Sequence, residues 1–178
     1  MTMTETHEIL DNPVTGERLR VLSSTHDVFA FELGLAPGAA VAGAHVHPFQ
    51  RQTLRVVEGA MVSNIDGKRV ALSTGEAVEI PAGTRHDQSN PHQAPARVVE
   101  EIRPAARMHD FFRVFFALAR DGRTDRRGLP SPLVAAALFD EFRDSIRPAG
   151  LGLRVLVAVL APFARLLGRR ALIRSYLV

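Results

Sequence analysis

The chain has no cysteine among its 178 residues. That excludes disulfides, thiolate metal ligands and cysteine nucleophiles, so any metal centre must use imidazole, carboxylate or amide donors. It also fits a reducing cytoplasm, the expected location. The opening MTMTETHEIL lacks the basic and apolar regions of a secretion signal, which agrees. There is no internal repeat and no low-complexity segment. Acids are scarce in one region. Residues 1–103 carry nine Lys or Arg against thirteen Asp or Glu, whereas residues 104–178 carry thirteen Arg against six acids, a split of −4 and +7 that sums to +3. The basic half has no Lys and no basic run interleaved with aromatics, so nucleic-acid binding is not expected. With 46% hydrophobic and 23% charged residues, the chain can build a sizeable core. The charge split predicts two parts, residues 1–103 and residues 104–178.

Up to about Arg103 the pattern is that of strands. Val28 to Leu33 is aromatic and aliphatic and ends at Pro37-Gly38. Gly59 to Leu72 reads as a hairpin around Asp66-Gly67, a pair that accepts the positive φ angles of a tight turn. Ala77 to Ile80 and Arg97 to Ile102 are further strands, and turn signals recur about every ten residues, as in a sandwich or barrel. Pro104 marks a change. Met108 to Arg120 sets Phe111, Phe112, Phe115, Phe116 and Leu118 at helical spacing. A second helix is expected from Leu133 to about Ile146, with Ser131 as its cap and Pro132 in its first turn. Leu151 to Leu167 is almost wholly apolar apart from Arg154 and Arg165, and holds Pro162.

Two short segments carry the chemistry. In the first, His45-Val46-His47 is followed by Gln52 and Gly59; residues two apart on a strand share a face, so both imidazoles can reach one point. In the second, Gly75, Pro81 and Gly83 precede His86, with Gln88 and Asn90 on the same face beyond it. Pro81 fixes φ and Gly83 permits a sharp reversal, which turns the chain into the strand that carries His86. His7, His26, His92 and His109 fall outside both segments, where surface or capping roles are expected.

These segments resemble the two motifs of the cupin superfamily, G-x5-H-x-H-x3,4-E-x6-G and G-x5-P-x-G-x2-H-x3-N. The second matches at Gly75, Pro81, Gly83, His86 and Asn90. The first matches at His45, His47 and Gly59, has Gln52 where Glu is usual, and needs a spacer one residue longer to reach Gly38. The resemblance covers roughly residues 25–103. It implies a mainly β fold, a double-stranded β-helix (jelly-roll) barrel, here followed by an α-helical C-terminal extension. It further implies one divalent metal ion (Zn, Fe, Ni or Mn) held by His45, His47, His86 and Gln52. Around it a pocket for a small organic molecule would include Phe31, Gln88 and Asn90. Phe29, Val56 and Ile102 belong to the barrel strands as core or pocket wall.

An amide ligand leaves the cation's charge uncompensated. It therefore favours Lewis-acid chemistry (cyclisation, isomerisation or lyase-type steps) over Fe(III)-forming oxygen chemistry. The alternatives are a mononuclear iron or nickel dioxygenase and a non-catalytic binding cupin. Acid–base candidates are few: Glu58, Glu79 and Glu101 are expected to face outward, and no catalytic residue is assigned. The helices are expected to pack on the barrel or across a homodimer interface. Residues 149–178, basic and apolar, are expected to make peripheral membrane contact at most, since Arg154, Arg165 and Pro162 oppose a transmembrane span.

Overall fold

The computed structural model describes residues 8–41 and 43–177. Its barrel strands are β1 (Ile9–Asn12), β2 (Glu17–Ser24), β3 (Phe29–Leu35), β4 (His45–Val46), β5 (Arg51–Glu58), β6 (Ala60–Ile65), β7 (Lys68–Ser73), β8 (Ala77–Ile80), β9 (His86–Ser89) and β10 (Ala96–Arg103). The extension adds α1 (Met108–Arg120), α2 (Pro132–Glu141), a two-residue strand β11 (Arg147–Pro148), α3 (Leu151–Leu166) and α4 (Arg169–Ser175). Two sheets form the jelly roll, in the orders β1-β2-β3-β10-β5-β8 and β11-β4-β9-β6-β7, with every pairing antiparallel.

Alternation decides what points inward. On β10, Ala96, Val98, Glu100 and Ile102 are buried; on β5, Gln52, Leu54 and Val56; on β2, Glu17, Leu19 and Val21. The apolar members of these rows make the core with Phe29 and Phe31. The expected hairpin is present: β6 and β7 join through Asp66 and Gly67, at φ 46° and 79°. Gly59 is required where β5 leaves for β6, because its φ is 77° and a Cβ there would stand 2.5 Å from the Pro95 carbonyl oxygen.

The extension is sewn to the barrel rather than hung from it. β11 pairs with β4, Arg147 opposite Val46 and Pro148 opposite His45, so the chain returns to the sheet edge beside the first motif. α1 buries Phe111, Phe115 and Phe116, and the Phe112 ring lies 5.2 Å from Phe31 and 6.0 Å from Phe29. Such pairs contribute about 0.5–1.5 kcal/mol each beyond area burial. α2 is shorter than its pattern predicts. It ends at Glu141, since Phe142 and Ile146 turn into the core and Ser145 is taken by barrel contacts. Ser131 stands at its N-cap with no side-chain capping bond. α3 packs on α2, where Arg165 bonds Asp140 at 2.8 Å, and α4 docks through Ile173. Arg107, Arg170 and Arg174 converge on Glu141; burial alone would raise its pKa, but the three guanidinium bonds hold it down at about 2.

Candidate metal centre

β4 and β9 place the histidines. His45 lies directly opposite His86 in the ladder, and their ring centroids are 4.4 Å apart; the His47 ring lies 5.1 Å from His45 and 5.3 Å from His86. One ring nitrogen from each falls within 4.8 Å of the other two. The loop carrying the second motif is tied to the first, because the Gly83 N–H donates to the His47 carbonyl at 2.7 Å. Each imidazole is anchored through Nδ1 on a backbone carbonyl: His45 on Gly43 at 3.1 Å, His47 on Ser145 at 2.8 Å, His86 on Thr84 at 3.0 Å. A neutral ring that donates from Nδ1 keeps its lone pair on Nε2, the nitrogen a metal takes.

The rings are held neutral. Burial, reinforced by the two neighbouring imidazoles, drives the His45 pKa well below the ordinary value; burial lowers His47 to about 4, and lowers His86 as well. Charged rings so close would repel one another, whereas neutral rings offer three lone pairs.

Gln52 stands beside the three imidazoles. Its Nε2 donates to Glu100 at 2.6 Å, its Oε1 is buried without a partner, and the side chain sits near enough to His47 to favour protonation of that ring. Among the described residues, five buried side-chain polar atoms lack a hydrogen-bond partner, and three belong here: His86 Nε2, Gln52 Oε1 and Gln88 Oε1. Each such atom costs about 1–3 kcal/mol if left unmet. All three carry lone pairs, which fits a divalent cation with nitrogen and oxygen donors.

Over the histidines lies a cavity of ≈ 340 Å³, the size of a small-molecule site. His45, His47, Gln52, Gln88, Glu17 and Glu100 form its polar end; Phe31, Ile102 and the phenyl rings of α1 form the walls, and Leu153, Leu156, Val157 and Leu160 of α3 roof it. Phe31 and Gln88 therefore lie where the sequence places them. Phe29 and Val56 are core. Asn90 is a correction. Its Nδ2 is shared among the carbonyls of Leu35, Ala36 and Ala94 and its Oδ1 accepts from the His92 N–H, so it braces backbone and does not line the cavity.

Three residues went unread in the sequence. Glu100 and Glu17 are buried carboxyls in the cavity wall. Burial pushes Glu100 up to about 7 against the bonds from Gln88 and Gln52, and burial raises Glu17 although the Thr15 hydroxyl donates to it at 2.6 Å. The signal was present: Glu100 is in phase with Val98 and Ile102, and Glu17 with Leu19 and Val21. Ser145, whose carbonyl holds His47 and whose hydroxyl accepts from the Arg107 N–H at 3.1 Å, has no such signal. Glu58 and Glu101 are engaged on the surface by Arg97 and Arg103, and Glu79 is exposed, all outward as predicted. His26 and His92 are surface residues and His109 bonds Glu8; His7 lies outside the described residues.

Fold and site together define a barrel protein with three buried imidazoles clustered beside a largely apolar pocket. A family model described as Cupin domain matches residues 31–100. The chain belongs to the cupin superfamily. It is 34% identical over 107 residues to the tetracenomycin polyketide synthase protein TcmJ of Streptomyces glaucescens, covering 60% of this chain and 64% of that one. To the polyketide synthase CurC of Streptomyces cyaneus it is 33% identical over 104 residues, 56% and 67% of the two chains. The chain thus spans about two thirds of these relatives' length. An RmlC-like cupin from Shewanella frigidimarina shares the fold, with TM-score 0.52 at 24% identity over 61% of this chain and 94% of the other.

Proposed function

We propose that the protein is a metal-dependent cupin enzyme that acts on a small, oxygenated, partly aromatic molecule of polyketide type. The observation that carries this is the pairing of three neutral, lone-pair-bearing imidazoles with an adjoining cavity whose walls, beyond its polar end, are mainly phenyl and aliphatic. The two polyketide synthase relatives support the substrate class. A divalent cation held by His45, His47, His86 and Gln52 supplies Lewis acidity toward a substrate oxygen, of the kind that promotes cyclisation, isomerisation or lyase-type steps. The chain's own residues do the rest. Phe31 and the α1 phenyls hold the carbon skeleton and exclude water, while Glu17 and Glu100 are the cavity groups able to give or take a proton. Metal analysis of protein purified without added metal, followed by activity assays on phenolic polyketides under strict anaerobiosis, tests the reading. A strict oxygen requirement would replace it by a dioxygenase, and saturating ligand binding without turnover by a non-catalytic cupin.

The outer face of α3 supports a second element of the proposal, contact with a lipid surface. Leu151, Val155, Val159, Phe163 and Leu166 are exposed on one side of the helix, and no acid occurs after Asp144. Among the described residues no single helix is long and apolar enough to cross a membrane, and the α3–α4 pair bends by 84°, so the geometry suits lying at an interface. An apolar substrate would then enter beneath the helix that roofs its cavity. Vesicles with anionic lipid should sediment the native chain and fail to sediment the Val159→Glu variant; equal sedimentation of both, or a stable dimer in solution, would remove the idea.

A further inference from the structure

A carboxamide has two unlike ends. One ligates a metal or accepts a hydrogen bond, the other only donates, so a Gln in a metal site needs something to decide which end faces in. A carboxylate, alike at both ends, needs no such partner.

Glu100 receives two amides at once. Gln52 Nε2 donates to its Oε2 at 2.6 Å and Gln88 Nε2 to its Oε1 at 2.9 Å. Gln52 comes from β5 and Gln88 from β9, one in each sheet. In both amides the opposite atom, Oε1, is buried and without a partner, and both residues line the cavity. We propose that Glu100 is the positioning residue of this site: by taking both amide N–H groups it turns both amide oxygens toward the cavity. Beside the Glu17 and Glu100 carboxyls, the polar end of the cavity then offers the imidazole nitrogens of the cluster and two amide oxygens as acceptors. Its complement is a cation together with a hydroxyl-bearing substrate. Gln52 Oε1 serves the cation, and Gln88 Oε1 accepts from a substrate O–H, as a phenol or enol would supply. The inference rests on the metal-centre reading for the role of Gln52.

The test is Co2+ binding to the native chain and to Glu100→Gln, read by chelator competition and by the visible absorption of the bound ion. Gln at position 100 replaces one of the two accepting oxygens by a donor and removes the negative charge, so the Gln52 and Gln88 amides lose separate acceptors and neither orientation stays fixed. The variant is expected to bind Co2+ about 10- to 100-fold more weakly with a changed spectrum. Adding Gln52→Glu should restore affinity, because a carboxylate there needs no orientation. Native affinity and an unchanged spectrum in Glu100→Gln would overturn the proposal, as would a double variant no tighter than Glu100→Gln alone. Should Glu100→Gln not fold, Glu100→Asp keeps the buried carboxylate but withdraws it by one methylene; it should weaken binding in the same direction, and native affinity would again overturn the role. A native chain that takes up no Co2+ would defeat the metal reading itself, a distinct outcome.

Discussion

The barrel and the helical extension hide their apolar side chains by different means, and the site needs both. In the barrel, strand alternation sends one row inward, and the same row carries the polar residues of the site: Gln52 is in phase with Leu54 and Val56, and Glu100 with Val98 and Ile102. In the extension, α1 buries its phenyl stripe against the barrel, while α3 buries only Ala161 and Ala164 and leaves most of its apolar residues bare. The candidate metal donors all come from the barrel. The extension holds one of them in place through the Ser145 carbonyl on His47, anchors Gln50 through the Asp144 carbonyl at 2.8 Å, and roofs the cavity. Chemistry comes from one part and enclosure from the other.

The strongest way to break that division is to remove a donor. His47→Ala should abolish cation binding outright, and Gln52→Ala should weaken it less, since an amide oxygen is a poorer donor than imidazole for the metals this site suits. Isothermal titration with Zn2+ or Co2+ checks both. Equal retention by the two variants would show that the donors are misassigned and that the barrel does not supply the site as described.

Next in size come paired core truncations. Leu54 in the barrel and Leu118 in α1 are both fully buried, so Leu→Ala at either should cost about 2–5 kcal/mol. Because β11 joins the barrel sheet and α1 shares its core, both variants should lower the midpoint of one unfolding transition. Two separated transitions in calorimetry, each moved by only one of the substitutions, would show that the extension is an independent unit.

Acid titration sharpens the comparison further. A histidine whose folded pKa lies below the unfolded 6.5 stabilises the fold only while it is neutral. Its contribution is present above pH 6.5 and is lost as pH falls toward the folded value, about 4 for His47, a loss of about 3 kcal/mol for that residue. His45 and His86 shift in the same direction. Glu100 works oppositely: raised to about 7, it favours the fold below pH 4.5 and costs stability as pH rises through 7. Glu17, also raised by burial, acts in the same sense as Glu100. Three imidazoles outweigh these two carboxyls, so metal-free protein should lose thermal stability between pH 6.5 and 4. A Tm that holds level across that window would mean the rings are not held neutral in the barrel. Among the described residues the extension shows no buried group shifted into this window, and Glu141, at about 2, stays charged throughout it.

The barrel was the more legible half, for a physical reason. A strand period of two residues, a turn pair such as Asp66-Gly67 and a fixed spacing of histidines are local signals, and His45, His47 and His86 do converge as their positions predict. Gln88 and Phe31 reach the cavity for the same reason. Asn90 shares their face, yet three carbonyls within reach consume its amide, a competition no spacing reveals. Glu100 is in phase with buried Val98 and Ile102, a position at which an acid is seldom tolerated; what makes its burial tolerable is two amides from two strands, one on each sheet. The grip of Ser145 on His47 spans 98 positions and passes through a backbone carbonyl, so no side-chain pattern could announce it. The end of α2 at Glu141 follows from the same long-range contacts overriding a helical pattern.

The smallest expected effect concerns the bare face of α3. Leu166 is 84% exposed, against 0% for Leu54 and Leu118. Removing its side chain deletes almost no burial and leaves no cavity, so Leu166→Ala should shift stability by less than about 0.5 kcal/mol in dilute solution. The same substitution chemistry thus spans nearly the full range of effect, according to whether an apolar side chain meets core or solvent. Denaturant unfolding at two protein concentrations is the measurement. A loss of about 2 kcal/mol or more, growing with concentration, is what a side chain buried in a self-association interface would give. It would mean that a second copy covers α3, and that the extension hides its apolar surface as completely as the barrel does.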